Sequence, residues 1–417
     1  MLQRMDSAIV REEVMLTRAL IVVLATMLAI VPAARAEIAN GKIRIGVLTD
    51  LSGGYEQNSG NGSVEAARIA AEEFGNKING VPVEILAGDH QNKPDVGASV
   101  AARWFDVEKV DAIADLVNSA VGFVVVDLAK AKNKTVLLTS AGSADFTGKA
   151  CAPDNSVHWV YDTYQMGNAI GQSVPMLGKT WFFITADYAF GHALQAGVTG
   201  AITKAGATVV GSVRAPLGTT DFSSYVLQAQ ASKAEVVAIA NGGDDAINAM
   251  KAVREFGLVA AGQKIVPLGL DSLPAIKSTT LEIANGGMYV TPWMPHINAE
   301  ADTFFEKFVA RRKTAPSSFH VGTYSAVRSY LKAIEAANST DSKVVLAKMR
   351  DTQVKDALTN QGTLRPDGRM VHDVYVVQIK SPAESKGEWD FLKLVSTVPG
   401  DKAFRPINEG GCPGLTK

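Results

Sequence analysis

Two cysteines, six histidines and a formal net charge of -1 are what this chain of 417 residues holds for several kinds of chemistry. The near-zero charge leaves no electrostatic footprint for nucleic acid or an anionic membrane surface, so no nucleic-acid partner is expected. The histidines (His90, His158, His192, His296, His320 and His372) are scattered, and neither a His-Glu-x-x-His pair nor a Cys/His cluster is present, which removes the zinc readings. Gly-x-Gly-x-x-Gly and Gly-x-Ser-x-Gly are also missing, and with them the dinucleotide fingerprint and the hydrolase elbow. Leu177-Gly178-Lys179-Thr180 imitates the end of a phosphate loop, but Ser173 stands where its first glycine belongs, and the segment precedes a strand where it should follow one. Beyond residue 36 no apolar stretch approaches the roughly 20 residues a spanning helix needs. No repeat of 20–50 residues is visible, which argues against a solenoid. Neither a metal nor a cofactor is expected.

What is present starts at the N-terminus. Within residues 15–37, Arg18 supplies a positive end, Ala19 to Val31 a short apolar core, and Ala34-Arg35-Ala36 a small-x-small cleavage site. This is the pattern of a secretory signal peptide, residues 1–36, with cleavage near Ala36 and translation starting at Met1 or Met15. The mature chain is then expected outside the cytoplasm, where nucleotide pools are absent and binding is a more natural task than cofactor chemistry. In an oxidising compartment Cys151 and Cys412 read as a disulfide; the alternative is two unrelated free thiols. Both lie in polar loops containing Pro or Gly, which favours the bridge.

About 380 mature residues exceed one usual core, so two domains are expected. The composition, 47% hydrophobic and 20% charged, is that of a globular protein. Short β-branched runs alternate with longer amphipathic ones, the mark of βαβ units around parallel sheets. Strands are predicted at Ile43–Leu48, Val83–Ala87, Ala112–Ala114 and Thr135–Leu138, each followed by a helical segment, such as Ser63–Phe74 and Asp95–Val107. The pattern restarts with strands Trp181–Ala186, Val209–Arg214, Val236–Ala240 and Ile265–Leu268, interleaved with helices His192–Ala205, Ser223–Ala231 and Asp244–Phe256. Helices Ala299–Thr314 and Thr323–Ala337 follow, then a hairpin of Val374–Ile379 and Phe391–Val395. The late segments make no lobe of their own, so the chain is expected to cross between lobes more than once.

In open α/β sheets ligands bind outside the carboxyl ends of the strands. The first lobe places there Asp50-Leu51-Ser52-Gly53-Gly54-Tyr55, Val117-Asn118-Ser119-Ala120 and Thr139-Ser140-Ala141-Gly142-Ser143. These are hydroxyls and small residues with accessible amides, often at helix N-termini, and they suit a carboxylate. The second lobe places Ala186-Asp187-Tyr188-Ala189-Phe190-Gly191, Asn241-Gly242-Gly243-Asp244 and Gly269-Leu270-Asp271-Ser272. Aromatics and acids of this kind suit an apolar or aromatic body and a donor such as ammonium or hydroxyl.

At these loops, and in Ile43-Arg44-Ile45-Gly46-Val47-Leu48-Thr49-Asp50-Leu51-Ser52-Gly53 and Tyr324-Ser325-Ala326, the chain resembles periplasmic solute-binding proteins of branched-chain amino-acid ABC importers, the Leu/Ile/Val-binding type. The resemblance runs from about Ile43 to about Ile379. It implies an α/β fold of two Rossmann-like lobes with a hinge, the type I periplasmic binding fold, and capture of a small carboxylate for delivery to ABC permease subunits in the membrane, by a monomer that is not an enzyme. The implied ligand set is Tyr55, Asn118, Ser119, Ala141, Gly142, Ser143, Tyr188, Phe190, Asn241 and Asp271. Asn241 and Asp271 depart from the tyrosine and glutamate usual for an amino acid. Segments such as His158-Trp159-Val160-Tyr161-Asp162-Thr163-Tyr164 and Arg365-Pro366-Asp367-Gly368-Arg369 resemble a subgroup that binds aromatic carboxylates. An aromatic or related small acid is therefore expected slightly ahead of a branched-chain amino acid, while a sensory receptor domain or a secreted hydrolase forms the alternative of another class. Hinge crossings are expected near residues 155–162, 285–295 and 362–374, with lobe 1 as 41–157 plus 290–365, and 158–288 plus 366–417 as lobe 2 and a returning tail.

Overall fold

The computed structural model describes Ile38 and residues 41–172, 174–269 and 272–415. The segment read as a signal peptide lies outside the described residues. Ile43–Thr49 (β1) is buried on both faces almost throughout, as a strand inside a parallel sheet must be. It is the third strand of a six-stranded sheet ordered β2 (Lys77–Ile78), β3 (Val81–Asp89), β1, β4 (Ala112–Asp115), β5 (Thr135–Leu138) and β6 (Ser156–His158). All pairings are parallel except the β2–β3 ribbon. Helices α1 (Gly60–Glu72), α2 (Pro94–Asp106) and α3 (Ser119–Lys132) connect these strands.

The second sheet runs β10 (Lys264–Pro267), β9 (Val236–Ala240), β7 (Thr180–Ala186), β8 (Thr208–Ala215), all parallel. Its helices are α4 (Thr163–Gln172), α5 (Ala189–Lys204), α6 (Ser223–Ala231), α7 (Gly243–Glu255) and α8 (Leu273–Thr279). Helices α4 and α5 cross closely because glycines meet there: a Cβ on Gly167 would lie 2.6 Å from the backbone of Gly197.

Three later helices, α9 (Ala299–Arg312), α10 (Ser318–Ala337) and α11 (Ser342–Arg350), turn back to the first sheet, α10 packing along α1. A ribbon of β12 (Thr363–Leu364) and β13 (Met370–Val371) leads to an antiparallel sheet ordered β11 (Met288–Thr291), β14 (Val374–Ile379), β15 (Leu392–Val398). The expected hairpin of 374–379 with 391–395 is therefore two strands of three, since β11 pairs with the other edge of β14. The chain passes from one sheet's helices to the other's at 159–162, 292–298 and 365–373. After β15 it crosses once more: Arg405 Nη2 donates to Ala144 O, and Cys412 is bonded to Cys151 across a Cα–Cα distance of 5.5 Å. The end of the chain thus rests on the segment that carries Cys151.

In each sheet the strand order reverses once, between β1 and β4 and between β7 and β9. A crevice opens at such a switch point, outside the strand ends. The two crevices face each other, and the strand-end loops close them.

Candidate functional site

The first lobe's loops are set by buried polar groups. The Asp50 carboxylate accepts the N–H groups of Gly53 (2.8 Å) and Tyr55 (2.9 Å) and the Asn92 amide (2.6 Å), so residues 50–55 wind around it. Asn118 caps α3, accepting from Ala120 N (2.9 Å) and Val121 N (3.3 Å). Ser119 is therefore the first residue of a 14-residue helix, at the positive end of its dipole. Its Oγ accepts from Ser143 N at 3.2 Å, which leaves the hydroxyl hydrogen to give. The Ser140–Gly142 loop is carried by the first crossing. Tyr161 Oη donates to Ser140 O (3.0 Å), His158 Nε2 to Ala141 O (2.7 Å) and Thr163 N to Gly142 O (2.8 Å). Among the described residues the N–H groups of Ser119, Ala141 and Gly142 donate to none.

Between the lobes lies a cavity of about 20 Å³, enough for one water. Its walls are Tyr55, Asn58, Val117, Phe319 and Tyr161 on one side and Met166, Tyr188, Phe190, Gly242, Gly243 and Gly269 on the other. Tyr161 stacks on Phe319 with centroids 5.2 Å apart and meets Phe190 edge-on at 6.4 Å. Across the cleft the hydroxyls of Tyr55 and Tyr188 lie 2.5 Å apart. Asp244 N donates to Gly54 O (2.9 Å), Ser272 Oγ to Asn58 Oδ1 (3.0 Å), and Gln57 Nε2 to Ser278 Oγ (2.9 Å). The lobes can come this near because Gly243, at φ +56°, has no Cβ; one there would lie 2.2 Å from Gly54 O.

Electrostatics separate the two walls. Burial holds the pKa of both Tyr55 and Tyr188 well above the ordinary phenol value, and the Tyr188 hydroxyl raises that of Tyr55 further, so both stay neutral. Asp245, in the first turn of α7, is pushed up to about 6 by burial, although it accepts from Gly218 N. Asp244 is raised by burial and by Asp50. Asn241, at the end of β9, is fully buried, and its amide finds no partner among the described residues.

Of the residues read from the sequence, Tyr55, Tyr188 and Phe190 line the cavity. Gly142 backs it, since a Cβ there would lie 2.7 Å from Tyr161 and 2.8 Å from Phe190. Asn118, Ser119, Ala141, Ser143 and Asn241 are buried but do not line it, and Asp271 lies outside the described residues. Sequence reasoning missed Asn58, Tyr161, Met166 and Phe319, which no strand-end rule reaches. The Trp-Val-Tyr-Asp segment at the first crossing was the available signal for Tyr161. A larger cavity of about 780 Å³, walled by Met250, Val253, Ile265 and Met288 among others, opens between the free edges of β10 and β11. It belongs to one lobe, and the site-forming side chains named above do not enter it, so the smaller inter-lobe cavity is the candidate site.

Two lobes closing on a shared cleft, each offering its strand-end loops, define a capture protein, and the comparisons agree. The periplasmic binding protein family model matches residues 42–388, and the chain belongs to that family. A branched-chain amino-acid ABC transporter periplasmic ligand-binding protein from Burkholderia xenovorans is 38% identical, covering 90% of this chain and 100% of that one, with a TM-score of 0.79. A periplasmic binding protein from Burkholderia mallei shares 38% identity over the same coverage, with a TM-score of 0.87. A solute-binding protein from Rhodopseudomonas palustris, solved with 3,4-dihydroxybenzoic acid, shares the fold at 18% identity, covering 87% and 98%, with a TM-score of 0.77. The protein is the solute-binding component of an ABC transporter, a periplasmic family whose members serve membrane permease subunits.

Proposed function

We propose that the ligand is a small aromatic carboxylate, held by its acid group on the first lobe and by its ring between the aromatic walls. The observation that carries this reading is the cavity wall itself: five rings, of Tyr55, Tyr161, Tyr188, Phe190 and Phe319, converge on it. Behind Val117, the Ser119 hydroxyl with the free N–H groups of Ser119, Ala141 and Gly142 offers an anion cradle at a helix N-terminus. The Tyr55 and Tyr188 hydroxyls, with Asn241, suit a ring hydroxyl at the far end. The solved relative with dihydroxybenzoic acid supports the same class. Closure brings the lobes together about crossings at 159–162, 292–298 and 365–373, which we take as the lobe boundaries, and the closed form docks on the permease. No bond of the ligand is made or broken. The chain acts as a monomer after export and removal of residues 1–36.

A branched-chain amino acid is the second reading, favoured by the Burkholderia xenovorans relative and by the buried carboxylate of Asp245, which bears on both tyrosines. A thermal-shift screen of benzoate, hydroxybenzoates, leucine, isoleucine and valine separates the two. A ligand at 100 times its Kd stabilises by about 2.7 kcal/mol. Aromatic acids are expected to shift the melting temperature and to be recovered chemically unchanged. Tight leucine binding without any response to aromatic acids overturns the reading.

A further inference from the structure

The third crossing carries a fully buried cation that the binding site does not touch. Arg369 has no exposed surface and sits beneath the cleft, its guanidinium 4.4 Å from the Phe404 ring. Its Nη1 donates to Tyr161 O at 3.1 Å and to Asp162 Oδ2 at 3.4 Å, and its Nε donates to Met370 O at 2.9 Å. Asp162 in turn accepts from Gln165 N (2.8 Å) at the start of α4. Around this centre His158 N donates to Gly368 O and His372 Nε2 donates to Val160 O, so the first and third crossings lie side by side.

A buried charge costs several kcal/mol unless it is paired, and a fold that needed only packing here could use an apolar residue. This cation instead holds the main chain of the one crossing residue whose ring stands in the cavity wall. Tyr161 is fixed at three points: its carbonyl by Arg369, its hydroxyl on Ser140 O, and its ring between Phe319 and Phe190. The Ser140 contact also steadies the loop that carries Ala141 and Gly142. A shift of the Tyr161 backbone would therefore move the wall and the cradle together.

We propose that Arg369, held by Asp162, is a positioning residue for ligand capture, acting through Tyr161. A planar fork serving two carbonyls and a carboxylate cannot be replaced by a lysine, which is a single point charge. The role rests on ligand binding by the cleft, not on which acid is bound.

The test is a double-substitution cycle. Arg369→Met is made with Asp162→Asn, so that neither charge is stranded and the amide still accepts from Gln165 N. Both changes are placed in the native chain and in a Tyr161→Ala chain, with Arg369→Lys as the conservative variant. Affinity for 4-hydroxybenzoate is measured by calorimetry at a temperature where circular dichroism shows every chain folded. The paired change is expected to weaken binding about tenfold or more in the native chain, with a faster dissociation rate, and Arg369→Lys to fall between. In the Tyr161→Ala chain the same change is expected to cost little, because residues that act as a unit are not additive. Equal losses in both backgrounds, or a lower melting temperature with unchanged affinity, overturn the proposal. If the native protein ignores 4-hydroxybenzoate, the aromatic reading fails and the cycle is run with L-leucine. If it ignores both, small-angle scattering of the ligand-free native and paired-variant proteins decides: a wider radius of gyration in the variant supports a positioning clamp between the crossings, and identical curves overturn it.

Discussion

Single residues divide into those that touch the cavity and those that aim them, and position after a strand picks out some of each. Tyr55, Tyr188 and Phe190 follow β1 and β7 directly and reach the wall. Tyr161 stands in the first crossing, just past β6, and Phe319 in the first turn of α10, and no local pattern announces that either will meet the cavity. Ser119 and Asp245 give the two residue-scale predictions. Ser119→Ala removes a hydroxyl hydrogen whose bond to a charged group is worth about 1.5–3 kcal/mol. Calorimetry should show a tenfold to hundredfold weaker carboxylate while the folded circular dichroism spectrum is preserved, and unaltered affinity would reduce Ser119 to the start of a helix that holds Ser143 N. Asp245 carries a native acidity of about 6, above the unfolded value of 3.8. The native state then keeps a proton that the unfolded state has lost, so this group's contribution to stability falls as pH rises from about 4 to 6 and stays low above that. Asp245→Asn, which still accepts from Gly218 N, should stabilise the protein by about 1–2 kcal/mol at pH 7.5 after allowing for solvent screening, and by almost nothing at pH 4. Equal effects at both pH values in urea titrations would show that burial does not hold the proton.

At the scale of elements, the runs rich in Val and Ile were readable because strands buried on both faces leave continuous apolar sequence. Several elements were not, and three show why. Ser156–His158 has two polar residues of three and becomes β6 only because β5 offers it an edge. Met288–Thr291 is four residues long and takes its identity from β14. Thr163–Gln172 contains two glycines, poor helix formers in isolation, which here allow the close crossing with α5. The tail is the element whose position carries the clearest test. Residues 400–403 lie against α4, Asn168 Nδ2 donating to Lys402 O, and nine residues later Cys412 is tied to Cys151. The bridge closes a separation of 261 residues, so its main effect is to restrict the unfolded chain. Replacing both cysteines by serine should lower stability by about 2–4 kcal/mol in chemical denaturation, with the folded circular dichroism spectrum preserved. A variant as stable as the parent, or two titratable thiols in the unreduced unfolded parent, would contradict the pairing.

For the whole molecule, the two-lobed plan followed from the restart of the βαβ pattern, but the seam joining α1 to α10 did not, since its bonded pair Ser59 and His320 stand 261 positions apart and the groups that fix the seam are polar and buried. His320 is the centre of that seam. Its Nδ1 accepts from Ser317 N (3.0 Å) while Ser317 Oγ accepts from His320 N (3.2 Å), a capping box in which an imidazole stands where glutamate or glutamine is usual. Its Nε2 donates to Ser59 O at 2.8 Å, and the ring lies on Phe308 and against Gly62. One nitrogen gives and one receives, so the ring must be neutral, and burial lowers its pKa to about 3. His90, whose Nδ1 accepts from Asn92 N, is lowered by burial to about 4. Unfolding frees both rings to take protons below their ordinary value of 6.5, so the stability they support is present above pH 6.5 and lost as pH falls toward 3–4. Each contributes a slope of about 1.4 kcal/mol per pH unit in that range, and Asp245 opposes only one of them below pH 6. His320→Gln isolates the effect. Glutamine can still complete the capping box and remove the titration, while the lost ring packing lowers stability at pH 7.5 by about 1–3 kcal/mol. Urea titrations at pH 7.5, 6.0 and 5.0 should therefore show a variant that is weaker at neutral pH yet loses stability more slowly on acidification, the gap between the two proteins narrowing by about 1 kcal/mol or more by pH 5. A constant gap across the three pH values would mean that His320 takes its proton before the chain unfolds, and that the seam tolerates a charged ring.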